Sequence, residues 1–142
     1  ARGKMLVGSC LAGISFLKGL GFVHAISHMV GAEFDTQHGL TNAIVLPSVL
    51  KYNQHVMDKK ISIMSEAMGL KKNDFEYFYN SICDLLDQLK IPKNLKKIGV
   101  EVSSVERLAE KALKDSAFAT NPKTASLEEM VGLINISMNK GR

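Results

Sequence analysis

The segment Gly19-Leu20-Gly21-Phe22-Val23-His24-Ala25-Ile26-Ser27-His28, continued through Asp35-Thr36-Gln37-His38-Gly39, frames the rest of the chain and holds three of its four histidines. His24 and His28 stand at i and i+4, so on a helix both imidazoles leave the same face. His38 follows a short connection containing Gly and Asp that turns the chain back towards that face. Imidazole is the commonest protein ligand for a transition metal, and histidines converging from one helix and the next loop make a metal site. Spacing alone pairs His24 with His28. An HxxxH pair without the zincin glutamate is a weak signal, however, because surface and core histidines often fall at that spacing.

Upstream, residues 1–18 carry Met5, Leu6, Leu11, Ile14, Phe16 and Leu17 with Gly and Ala between them. A helix apolar nearly all round is expected to be buried. Gly19 and Gly21 break it and restart a second helix, which carries His24 and ends near Gly31. Residues 33–37 form the connection. A third helix is predicted over 39–53, with a kink or local break at Pro47. The next runs over 57–68 and is closed by Gly69. Asn73, with Glu76 three residues on, is the expected cap of the following helix, which ends before Pro92. Residues 95–100 make a connecting turn. Ser103 to Glu106 and Ser126 to Glu129 read as capping boxes opening helices through Lys114 and Met138, with an ordered loop at 120–124 between them. No segment alternates with a two-residue period, so the chain is predicted all-α, a helical bundle.

Composition narrows the function classes. The 142 residues, 46% hydrophobic and 23% charged, suffice for one domain with a core and leave no room for a second ordinary one, so 1–142 is read as a single helical domain. The net charge of +4 is modest, and the lysine doublets at 59–60, 71–72 and 96–97 are scattered as on solvated helix faces, which argues against a nucleic-acid partner. Apolar runs are interrupted before the roughly 18–20 residues that span a bilayer, which argues against a membrane one. Cys10 and Cys83 have no metal or redox spacing and no secretory pattern is visible, so a reducing, cytoplasmic compartment is expected. Neither cysteine, nor His55, is given a functional role.

The string Leu11-Ala12-Gly13, Gly19-Leu20-Gly21, His24-Ala25-Ile26-Ser27-His28, Gly31-Ala32, His38-Gly39, Thr41-Asn42-Ala43, Leu46-Pro47, resumed at Asp115 and Thr120-Asn121-Pro122, closely resembles the metal-binding segment of the iron-containing (group III) alcohol dehydrogenases. Dehydroquinate synthase and glycerol dehydrogenase share the fold of that superfamily. The resemblance covers essentially the whole chain. Family members are much longer and begin with a nucleotide-binding domain. This chain opens at Ala1 inside a helical pattern, so it is expected to be a C-terminal portion lacking that domain.

The resemblance implies a different pairing from the spacing. His24 and His38 match the family's metal-ligating histidines. His28 matches the histidine beside nicotinamide and substrate, a catalytic and cofactor-contacting position. The remaining ligands, an Asp and a His, lie upstream in the family; Glu33 and Asp35 are nearby carboxylates better read as capping and solvated residues. Phe16, Gly21 and Phe22 are candidates to line the substrate end. The implied activity is hydride transfer between a small alcohol or aldehyde and NAD or NADP, the dinucleotide being bound mainly by the upstream domain. The implied metal is Fe2+, with Zn2+ as the other option. A homo-oligomer, such as a dimer, is implied too. Alternatives are a maleylacetate reductase, a hydroxyacid–oxoacid transhydrogenase, or a non-catalytic helical fragment. The isolated chain is expected to fold, to lack turnover, and to self-associate through an apolar face around His24 and His38.

Overall fold

A computed structural model describes residues 1–139, and among them every regular element is helical. The α-helices are α1 (Arg2–Ser15), α2 (Gly21–Phe34), α3 (His38–Asn53), α4 (Asp58–Ala67), α5 (Phe75–Gln88), α6 (Val105–Ala112) and α7 (Leu127–Asn139). Short 3-10 turns lie at Phe16–Lys18, Gln54–Val56, Leu95–Ile98, Val102–Ser104 and Phe118–Thr120.

The main core lies where α2, α3, α6 and α7 meet. Phe22, Ile26 and Val30, one turn apart on α2, are fully buried there against Leu108 of α6 and Met130 and Ile134 of α7. Burying each such side chain contributes about 1.5–3 kcal/mol. A second, smaller cluster joins Leu50 of α3, Ile61 of α4 and Phe75, Phe78 and Tyr79 of α5. Helix α3 thus has one face in each core, and it runs unbroken through Pro47.

The first helix departs from expectation. Residues Arg2–Ser15 are helical, but none is buried: Met5 is 74% exposed, and Leu6, Leu11 and Ile14 are exposed with it. At Gly19 (φ +98°) the chain bends by 101° between the α1 segment and α2, carrying α1 off the bundle. Its apolar character is real; the described residues contain no surface packed over it. Exposed apolar side chains run along α1 and the following turn, where Leu17 is 92% exposed and Phe16 reaches the edge of His24. Among the described residues, no single helix is long and apolar enough to cross a membrane.

Three boundaries also differ. Helix α2 runs past Gly31 to Phe34 and stops where Asp35 takes a left-handed conformation (φ +50°). The cap of α5 is Asp74, not Asn73; its side chain accepts from the Tyr77 amide at 2.7 Å. Ser103 and Glu106 form no capping box, because a 3-10 turn over Val102–Ser104 moves the start of α6 to Val105. At Ser126 and Glu129 the reciprocal pair does form, with bonds of 2.8 and 3.1 Å.

Candidate metal centre

Helix α2 is secured at both ends by distant residues. At its start, Thr120 Oγ1 accepts from the amides of Leu20 (3.0 Å) and Gly21 (3.2 Å), and Asn121 Oδ1 accepts from that of Phe22 (3.2 Å). These are orphan donors of a first helical turn, satisfied from about a hundred residues away. At its end, Glu33 accepts from Arg107 and Lys111 of α6. The hydrogen bond from Arg107, with help from Lys111, holds the Glu33 carboxyl down to about 2, although burial works against it. Asp35 then turns the chain, and Gln37 caps α3 by accepting from the Leu40 amide. His38 is thereby the first residue of α3, opposite α2.

The three histidines of the segment come together. Ring centroids are 5.8 Å apart for His24 and His28, 5.1 Å for His24 and His38, and 5.4 Å for His28 and His38, the last pair nearly parallel. Their nitrogens are used differently. Nε2 of His24 and Nε2 of His38 lie 3.3 and 3.0 Å from one atom, Asn42 Nδ2. His28 Nδ1 instead lies 3.0 Å from Asp115 Oδ2. A carboxylate oxygen only accepts, so the proton of that bond sits on His28 Nδ1. Asp115 is held in turn by the Ala117 amide, which donates to Oδ1 at 2.8 Å.

His24 has its pKa pushed below the ordinary value by burial, then by the neighbouring His38 and His28 rings. The Leu20 carbonyl and Asp115 pull the other way. Nδ1 of His24 is buried without a hydrogen-bond partner among the described residues, so the Leu20 carbonyl lies close without reaching bonding geometry. A ring whose neutral form is favoured by its surroundings, with Nε2 on the same amide nitrogen as Nε2 of His38, has the chemistry a divalent metal requires. No cluster of three or more His, Cys, Asp or Glu forms a ligand set among the described residues. His24 and His38 therefore fit as two donors of an N/O site completed from elsewhere.

The remaining sequence candidates fall in different places. The Phe16 ring stands edge-on to His24 at 5.7 Å and is 56% exposed. Phe22 is fully buried and stacks on Phe118 at 4.9 Å, inside the core. Gly21 lies against Asn121 at the start of α2. Glu33 is taken up by Arg107 and Lys111. Two residues at the site had been given no role: Asn42, one turn after His38 on α3, and Asp115, 87 residues from His28. The i+4 spacing from His38 was a signal for the first; nothing local pointed to the second.

Comparison with known proteins is consistent along the chain. Residues 1–138 match the model of the Fe-containing alcohol dehydrogenase family, C-terminal. The probable alcohol dehydrogenase EutG of Escherichia coli is 39% identical over 134 residues, covering 94% of this chain and 34% of that protein. Lactaldehyde reductase of Escherichia coli is 35% identical over 137 residues, covering 92% of this chain and 36% of that protein. The crystal structure of a 1,3-propanediol oxidoreductase superposes with a TM-score of 0.79 at 30% identity, over 84% of this chain and 33% of that one. The chain spans about a third of the length of the curated relatives it matches.

Proposed function

The chain belongs to the iron-containing alcohol dehydrogenase family, in its C-terminal part, and on that premise we propose that it is the metal-binding half of an NAD- or NADP-dependent enzyme interconverting small alcohols and their carbonyl compounds. The convergence of His24 Nε2 and His38 Nε2 on a single point between α2 and α3 carries this reading. Residues 1–142 act as one helical domain, and an upstream nucleotide-binding domain contributes the other ligands and the dinucleotide site. That domain covers α1. Its similarity to a lactaldehyde reductase and a 1,3-propanediol oxidoreductase favours short hydroxylated substrates. The enzyme works as a homo-oligomer in the cytoplasm; two free cysteines accord with a reducing compartment.

A divalent metal, Fe2+ ahead of Zn2+, supplies Lewis acidity toward an alcohol or carbonyl oxygen, and the nicotinamide supplies the hydride acceptor or donor. His24 and His38 would hold the metal through Nε2. His28 shares their face but not their role: with its proton on Nδ1 bound to Asp115, its Nε2 would be available to accept a proton from the substrate. Phe16, edge-on to His24, would meet the carbon side of the substrate.

The experiment is made on the intact protein. It is stripped with a chelator and assayed with NAD or NADP and a panel of short alcohols and diols, before and after Fe2+ or Zn2+ is restored. Metal-restored alcohol oxidation is expected. Full activity in the stripped protein, or none with any metal, cofactor and alcohol, overturns the reading.

A further inference from the structure

The amide nitrogen of Asn42 lies between His24 Nε2 and His38 Nε2, with Oδ1 turned towards the Ser27 hydroxyl. The hydroxyl of Ser27, a fully buried residue of α2, donates to Asn42 Oδ1. That leaves Nδ2 facing His24 Nε2 at 3.3 Å and His38 Nε2 at 3.0 Å. A carboxamide nitrogen carries two N–H donors and no lone pair to give, so each ring nitrogen is an acceptor and both neutral rings carry their proton on Nδ1. The reversed amide would place Oδ1 between the rings, demand a proton on each Nε2, and remove the lone pairs a metal takes.

We propose that Asn42 is a placeholder for the metal: in the metal-free protein its two N–H groups hold His24 and His38 in the ligating tautomer and in register, and metal entry displaces the carboxamide. The proposal rests on His24 and His38 being the metal ligands and adds a residue that binds no metal itself. It has two consequences of opposite sign. Preorganisation spares the rings a tautomer change and a search for orientation. The same two hydrogen bonds must break before a cation is held by both rings, so Asn42 slows loading. Breaking the first of the two in the entry step slows association about fivefold, and the second gives way once the cation is already held by one ring.

The test uses the intact protein with 15N-labelled histidine, stripped of metal and then titrated with Zn2+. Imidazole 15N shifts in the stripped protein are expected to report Nδ1–H at both His24 and His38, and the Asn42 side-chain amide resonances are expected to move on Zn2+ addition. In Asn42→Ala, both rings should populate the Nε2–H tautomer, and Zn2+ association should be about fivefold faster or more. Nε2–H rings in the stripped wild type, or Asn42 resonances unmoved by bound Zn2+, overturn the proposal without any variant. If instead His24→Ala and His38→Ala bind Zn2+ as the wild type does, the underlying ligand assignment has failed, which is a different result.

Discussion

Asp115 Oδ2 lies 3.0 Å from His28 Nδ1, joining the loop after α6 to the third turn's worth of histidine chemistry on α2. The carboxylate orients the ring through Nδ1 and leaves Nε2 outside that bond. Asp115→Ala is expected to lower kcat about 10- to 100-fold, as removal of a ring-orienting partner does, with metal content unchanged. Parallel measurement of turnover and bound metal checks this. Unchanged kcat would remove Asp115 from the mechanism.

His24→Ala and His38→Ala are expected to strip the metal and abolish turnover in the intact protein, whereas His28→Ala keeps the metal and loses turnover or cofactor binding. Elemental analysis of the three purified variants decides between this division and the one that spacing implies. Metal loss confined to His28→Ala reverses the assignment.

The Glu33 pair ties stability to acid. Its carboxyl is held at about 2, below its ordinary value of 4.5, mainly by the hydrogen bond from Arg107. A depressed folded-state pKa gives stability that is complete above the unfolded value and is lost as pH falls from about 5 towards 2. Arg107 is half exposed, so the effect is small. Arg107→Ala should lower Tm by roughly 2–4 °C at pH 7, and by less near pH 3, in thermal melts across pH. A difference constant with pH would mean that the contact acts through packing alone.

The junction before α2 is expected to be intolerant. A Cβ on Gly19 would lie 2.3 Å from Thr120 Cβ, at a φ of +98° that side chains rarely adopt. Gly19→Ala should cost more than about 2 kcal/mol. Thr120→Val removes the acceptor for two amides at little change in shape and should cost about 1–3 kcal/mol. Denaturant melts of both variants test the pair. Wild-type midpoints would show that water substitutes for Thr120.

Helix α1 gives the last prediction. In the isolated 142-residue chain, Leu6→Lys with Leu11→Lys should reduce self-association in sedimentation while Tm stays within about 1 °C, since neither side chain is buried. Association unchanged by the double substitution would place the sticky surface elsewhere.

Much of this was legible in the residues, and the failures share a cause. The all-helical class, the breaks at Gly19 and Gly69 and the Ser126–Glu129 box follow from local chemistry, and the structure has each of them. A period of apolar residues says that a helix needs cover without saying what covers it, so α1 was expected to be buried and is not. Caps depend on backbone angles as well as residue type. Asp74 is extended (φ −99°, ψ 161°) and takes the place expected of Asn73. At the site, the three histidines lie within a stretch of 15 residues and announce themselves, whereas Asp115 reaches His28 only through the packing of α2 on α6.

The pinning of α2 by Thr120 and Asn121 also sets an order of events in time. Contacts 99–100 residues apart in sequence carry a large loop-closure cost and form late. During synthesis at about 5–20 residues per second, the histidine helix leaves the ribosome roughly 5–20 s before its acceptors exist. Until then its first turn has water for a partner and His24 has no fixed height along the axis. The first turn of the histidine helix is thus made well before the contacts that hold it and becomes rigid only when they form, so His24 takes its final place late in folding.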